Sequence, residues 1–122
     1  MKLCVLIPAY NCAHILPEVV NRIHLPTSED EIIVIDDASQ DNTFDVANNL
    51  SRVYALRNKI NLGYGGTSQR LYQVAFERGA DFVINLHGDL GHRPEDIGRL
   101  IPSLISNEYD IVIVNPNVKT TK

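Results

Sequence analysis

No stretch of this 122-residue chain approaches the roughly 20 consecutive apolar residues that a membrane-crossing helix needs. The first apolar run, Leu3 to Ile7 behind Lys2, is too short for a secretory leader and runs straight into Pro8. Basic clusters are missing as well. Eleven Lys and Arg stand against fifteen Asp and Glu, for a net charge of −4 and a pI near 5.4. That balance argues against a nucleic-acid binder. Cysteine is scarce: Cys4 and Cys12 have no metal-type spacing, so no zinc site is visible and reduced thiols in a cytoplasmic protein are expected. There is no internal repeat, no low-complexity segment and no linker, and the length suits one domain with a real core.

What is present is a regular alternation. Short apolar runs bounded by turn residues read as buried parallel strands: Leu3–Ile7, Ile32–Ile35, a weaker run at Val53–Leu56, Phe82–Leu86 and Ile111–Val114. Between them lie helical stretches. Ile15, Leu16, Val19, Val20 and Ile23 form one apolar stripe, closed by His24 and Pro26. A short helix is expected over Thr43–Leu50 and a third from about Thr67 to Arg78. A fourth opens at Pro94, with Glu95 and Asp96 facing the positive end of its dipole, and Pro102 should kink or split it. Five strands alternating with four helices imply an α/β protein: a three-layer α/β/α sandwich on a mainly parallel, Rossmann-like sheet with right-handed crossovers. Residues 1–114 would form the domain and the polar tail 115–122 would fray.

Open α/β sheets bind ligands at the carboxyl ends of their strands, and the chemistry-bearing residues of this chain collect there. Ile32–Ile35 delivers Asp36 and Asp37, two adjacent carboxylates that repel each other and suit a cation, a ribose or the donors of a base better than a structural role. Asp41 either caps the next helix or touches a ligand. In Asn61-Leu62-Gly63-Tyr64-Gly65-Gly66 the glycines either let the backbone approach a ligand or make a plain turn into the third helix. This is not a Walker loop, since its Lys is missing. No Gly-x-Gly-x-x-Gly follows the first strand, which excludes a classical dinucleotide oxidoreductase. A phosphoacceptor receiver domain fails too, because Pro8-Ala9-Tyr10 stands where its acidic pair belongs.

Four ordered motifs carry a family resemblance: Val5 to Asn11, Ile33 to Thr43, Asn61-Leu62-Gly63, and Asp89 to Glu95. Together they resemble the amino-terminal, donor-binding half of family 2 glycosyltransferases, inverting enzymes of the GT-A fold. The polyprenyl (dolichol) phosphate mannosyl- and glucosyltransferases are the nearest subgroup. The resemblance implies a nucleotide diphosphate sugar, UDP- or GDP-linked, bound by Pro8, Ala9, Tyr10, Asn11, Asp36, Asp37, Asn61, Gly63, Gly88 and Asp89. Tyr10 would flank the base, or else stand as a rim aromatic without a ligand.

The family usually writes its metal motif as Asp-any-Asp, and here it reads His87-Gly88-Asp89. Asp89, with His87, would hold Mg²⁺ or Mn²⁺ against the charge of a departing diphosphate. His92 is a weaker candidate, and His14 and His24 read as surface or helix-end residues. Cys12-Ala13 replaces the acidic residues that usually follow the first motif.

The resemblance also implies a polyprenyl phosphate as acceptor and a place at the cytoplasmic face of a membrane. In the family, a further stretch beyond the counterpart of Val114 supplies the general base, and none of these 122 residues is expected to take that role. Asp81, Glu95, Asp96 and Asp110 are not convincing substitutes, Asp81 and Asp110 because each precedes its strand at the far end of the sheet. The alternative is a non-catalytic nucleotide-sugar-binding or regulatory module of the same fold. An uncovered edge at Ile111–Val114 predicts a homo-oligomer.

Overall fold

The computed structural model describes residues 2–86 and 111–113. The chain runs β1 (Leu3–Ala9), α1 (Leu16–Asn21), β2 (Glu31–Asp36), α2 (Thr43–Asn48), β3 (Val53–Arg57), α3 (Gly63–Glu77), β4 (Phe82–Asn85) and β5 (Ile111–Ile113). The strands form one sheet in the order β3-β2-β1-β4-β5. β1 through β4 are mutually parallel, with Val5 opposite Ile32 and Ile84, and Ile33 opposite Tyr54.

The apolar runs pack on both faces, and a period of two divides them. Leu3, Val5, Ile7 and Ala9 of β1 join Ile32 and Val34 of β2 under α1 and α2, where Leu16, Val19, Val20 and Ala47 meet them. Cys4 and Leu6 join Ile33 and Ile35 on the other face, under Leu71 and Ala75 of α3. Three layers result, and the mainly parallel α/β arrangement expected from the sequence is borne out.

Three local differences have physical causes. The expected stripe of α1 is buried through Ile23, but the helix itself ends at Asn21 and Ile23 is carried in a closing turn onto Val20 O. α3 begins at Gly63 rather than near Thr67, because a carboxylate from the turn after β2 caps it.

The third difference is direction. β5 pairs antiparallel to β4, Phe82 opposite Ile113 and Ile84 opposite Ile111, so it does not extend the parallel series. An antiparallel edge on a parallel sheet is common. β5 therefore begins level with the carboxyl end of β4, not at the far end of the sheet as its expected parallel direction required. Asp110 itself, the fourth helix with Pro94, Glu95, Asp96 and Pro102, and the tail 115–122 lie outside the described residues.

Candidate functional site

The first three strands end together, Ala9 opposite Asp36 and Asp36 opposite Arg57, and each hands its loop to the same edge. The ladder continues past the strands: Asp37 N donates to Ala9 O and Asn58 N to Asp36 O, both at 2.8 Å. The β1 and β2 loops are then laced together. Asn11 N donates to Ser39 Oγ at 2.8 Å, Gln40 N to Asn11 Oδ1 at 2.9 Å, and Cys12 N to Thr43 Oγ1 at 3.0 Å. Asn11 and Ala38 are held at φ of 49° and 60° within this lacing. Left-handed backbone at non-glycine residues costs on the order of 1–2 kcal/mol each and persists only where surroundings enforce it.

The two adjacent acids serve different ends. Asp36 is 1% exposed beneath the β2–α2 loop, where Oδ1 accepts from both the amide and the hydroxyl of Ser39. Its Oδ2 lies 3.5 Å from Arg57 Nε. Asp37 faces the glycine loop instead. Oδ1 accepts from Leu62 N at 2.7 Å and Asn58 Nδ2 at 2.9 Å, and Oδ2 accepts from Gly63 N at 2.9 Å.

Burial pushes the Asp37 carboxyl up, and hydrogen bonds from Leu62, Asn58, Thr67 and Gly63 outweigh it, holding the group below its ordinary value of 3.8. An anion is thus fixed at the positive end of α3, which has no cap of its own. Gly63 sits at φ +77°, a conformation that suits glycine. Asp41 is exposed at the start of α2: Oδ1 accepts from the amide and hydroxyl of Thr43, which fits the helix-start role, and Oδ2 accepts from Ala13 N of the β1 loop. Those Thr43 bonds chiefly lower its pKa.

Above Asp37 lies a cleft of about 220 Å³. Of the expected binding residues, Pro8, Ala9, Tyr10, Asp37, Asn61 and Gly63 line it together. Asn11 and Asp36 are absent from its walls and hold the loops around it. His87, Gly88, Asp89 and His92 lie outside the described residues. β4 delivers the chain to this edge at Leu86, whose amide donates to Leu6 O at 2.7 Å. His14 and His24 are exposed, as expected.

Cys4 and Cys12 are buried free thiols, and burial pushes Cys4 up to about 11 and Cys12 upward as well. Among the described residues no group of three or more His, Cys, Asp or Glu could hold a metal, and no helix is long and apolar enough to cross a membrane. Three residues escaped the sequence reading. Tyr64 and Thr67 join the cleft wall from the first turns of α3, and Asn58 supports Asp37 from beneath. Helical spacing from the glycine loop, once α3 starts at Gly63, is the signal that finds the first two.

The sequence pattern described as glycosyl transferase family 2 matches residues 4–122. A UDP-N-acetylglucosamine–dolichyl-phosphate N-acetylglucosaminyltransferase from Methanococcus voltae is 30% identical over 124 aligned positions, covering 88% of this chain and 49% of that protein. A dolichol-phosphate mannosyltransferase from Pyrococcus furiosus is 36% identical, covering 100% of this chain and 35% of that one. The chain therefore spans about half the length of such relatives or less.

In fold it is similar to S. aureus TarS residues 1–349 in complex with UDP-GlcNAc, with a TM-score of 0.67 at 22% identity over 87% of this chain and 31% of that one. It is also similar to the mannosyltransferase PcManGT from Pyrobaculum calidifontis, in complex with GDP-Man and Mn²⁺, with a TM-score of 0.61 at 18% identity over 77% and 29%.

Proposed function

The chain belongs to glycosyl transferase family 2, and on that premise we propose that its carboxyl-edge cleft is the donor site for a nucleotide diphosphate sugar, UDP- or GDP-linked. The observation that carries this reading is the convergence of Pro8, Ala9, Tyr10, Asp37, Asn61 and Gly63 on one cleft. Three separate stretches of chain supply them, and a resemblance of sequence alone does not require them to meet. Tyr10, half-exposed over apolar Pro8 and Ala9, presents a flat ring suited to stacking on a base. Asp37, ionised throughout the neutral range, accepts hydrogen bonds from the donors of a base or ribose.

The metal belongs to the same proposal. Carboxylate and imidazole donors at Asp89 and His87 suit Mg²⁺ or Mn²⁺, which would supply charge for a departing diphosphate. The described residues offer no rival metal cluster. Transfer would invert the anomeric centre, with the acceptor oxygen entering opposite the diphosphate. A polyprenyl phosphate acceptor is suggested by what the Methanococcus and Pyrococcus relatives act on. With it come a cytoplasmic location at the membrane face, a domain over residues 1–114 followed by the tail, and a homo-oligomer. The second reading, a non-catalytic module, draws on His87 where the family writes Asp.

Calorimetric titration with UDP and GDP, each with and without Mn²⁺, tests the proposal. Binding strengthened by Mn²⁺ is expected, and Asp89→Ala should remove that strengthening. Absence of binding to either nucleotide at millimolar concentration would overturn it.

A further inference from the structure

Asn58, in the turn between β3 and α3, is 1% exposed. Every hydrogen-bonding group of its side chain is engaged, and each partner is another side chain. Nδ2 donates to Asp37 Oδ1 at 2.9 Å and to Thr67 Oγ1 at 3.1 Å, and Oδ1 accepts from the Arg70 guanidinium. An asparagine that merely shapes a turn bonds nearby backbone with its side chain. Contacts between side chains are the rarest class in folded proteins, and here one residue makes three. Two of the partners, Asp37 and Thr67, line the cleft. Reversing the amide would put an oxygen against the Asp37 carboxylate and an NH₂ against a guanidinium, so the partners fix its orientation.

The consequence falls on Asp37. Its Oδ1 is taken twice, by Leu62 and by Asn58, while Oδ2 accepts from the Gly63 amide and the Thr67 hydroxyl adds a further bond to the carboxylate. We propose that Asn58 is a positioning residue of the nucleotide cleft, which claims Oδ1 from beneath so that Oδ2 is offered to the ligand. Arg70 stands behind it, polarising the amide and strengthening its N–H donors. This rests on the reading of the cleft as a nucleotide site. Among the described residues, the adjacent Asp36 and the Arg57 that stands 3.5 Å from it also bear charge here, and neither is altered in the test.

Asn58→Asp keeps the shape and exchanges a donor for a second carboxylate. Carbon-13 NMR of the nucleotide-free protein should find Asp37 titrating at higher pH than in the parent. The affinity for UDP or GDP at pH 7 should fall about tenfold, the loss of one charge-assisted hydrogen bond. It should recover toward pH 5, where a proton shared between the two carboxyls restores the bond. Arg70→Met, at the partly exposed flank of α3, keeps Asn58 and should weaken binding about threefold. It decides the matter if Asn58→Asp does not fold.

A side chain that only supports the fold would lower stability and leave the pH profile of binding unchanged. Parent-like affinity in a folded variant, or an unmoved Asp37 titration, overturns the proposal while leaving the cleft reading intact. A parent that binds neither nucleotide removes both.

Discussion

The two ends of this sheet both use carboxylates to hold backbone amides, and they differ in how far charges pair with one another. At the amino edge such pairing is extensive. Glu31 accepts a fork from Arg78 at 2.6 and 3.0 Å and lies 3.1 Å from Lys2 Nζ, and the Arg78 guanidinium stacks 3.7 Å over the Tyr54 ring. Asp30 holds Leu3 N and Thr27 N, and Asp81 holds Lys2 N. A cleft of about 290 Å³ lies at this edge too, lined by Asp30, Glu31, Arg52, Tyr54 and Arg78, and Glu31 and Arg78 within it are already paired.

At the carboxyl edge Asp36 has Arg57 at 3.5 Å, while Asp37 holds only neutral donors below a cleft, so its charge is free of a cationic partner among the described residues. Pairing at a partly exposed edge is worth little, because water screens it. Buried carboxylates that satisfy buried amides are costly to remove, because each amide then loses its partner. Sequence composition cannot tell the two uses apart, and the hydrogen-bond partners can.

The largest expected effect comes from breaking the carboxyl edge. Asp37→Ala strands the Leu62 amide, leaves Gly63 N with Asn61 Oδ1 at 3.1 Å and takes one acceptor from Asn58. Chemical denaturation should show a loss of about 3 kcal/mol, and nucleotide binding should disappear in what remains folded. A loss under about 1 kcal/mol would mean that the loop finds other partners.

Acid should separate the two ends next. Asp37 and Glu31 both titrate below their ordinary values of 3.8 and 4.5. For Glu31, burial pushes up and the bonds from Arg78 and Lys2 prevail. Protonation therefore favours the unfolded chain at both sites. Their contributions are complete above the ordinary values and are lost as pH falls through the lowered ones. Denaturation between pH 7 and pH 3 should show a steep acid loss that Asp37→Asn flattens more than Glu31→Gln does. The reverse order would contradict the contrast between the edges.

The smallest effect belongs to the amino edge. Glu31→Gln should cost about 1 kcal/mol, less in high salt, and leave nucleotide affinity unchanged. A change in affinity would show that the two ends are coupled through the sheet.

These variants also mark what the sequence could tell. Strands buried on both faces announce themselves as apolar runs, and the stripe of α1 fixes which side chains are buried even where the helix stops early. The direction of β5 was not legible, since three apolar residues carry no polarity and the route of the chain decides their pairing. Nor was the start of α3: Gly65 and Gly66 argue against helix locally, and the cap that overrides them comes from Asp37, 26 residues earlier. In the site, Pro8 to Tyr10, Asp37, Asn61 and Gly63 were readable as motifs that meet in one cleft. Asp36 and Asn11 read the same way and turned out to hold loops. Asn58 looked like any turn asparagine, because its partners lie just past β2 and on α3 and only folding brings them together.

The central claim, that the carboxyl edge is a nucleotide site, is tested most directly by titrating the nitrogen-15-labelled chain with UDP and GDP. The amides of Ala9, Tyr10, Asp37, Leu62, Gly63 and Thr67 should shift together and saturate together, with Glu31, Arg52, Tyr54 and Arg78 unmoved. Shifts centred on the amino edge, or none at millimolar nucleotide, would contradict the account.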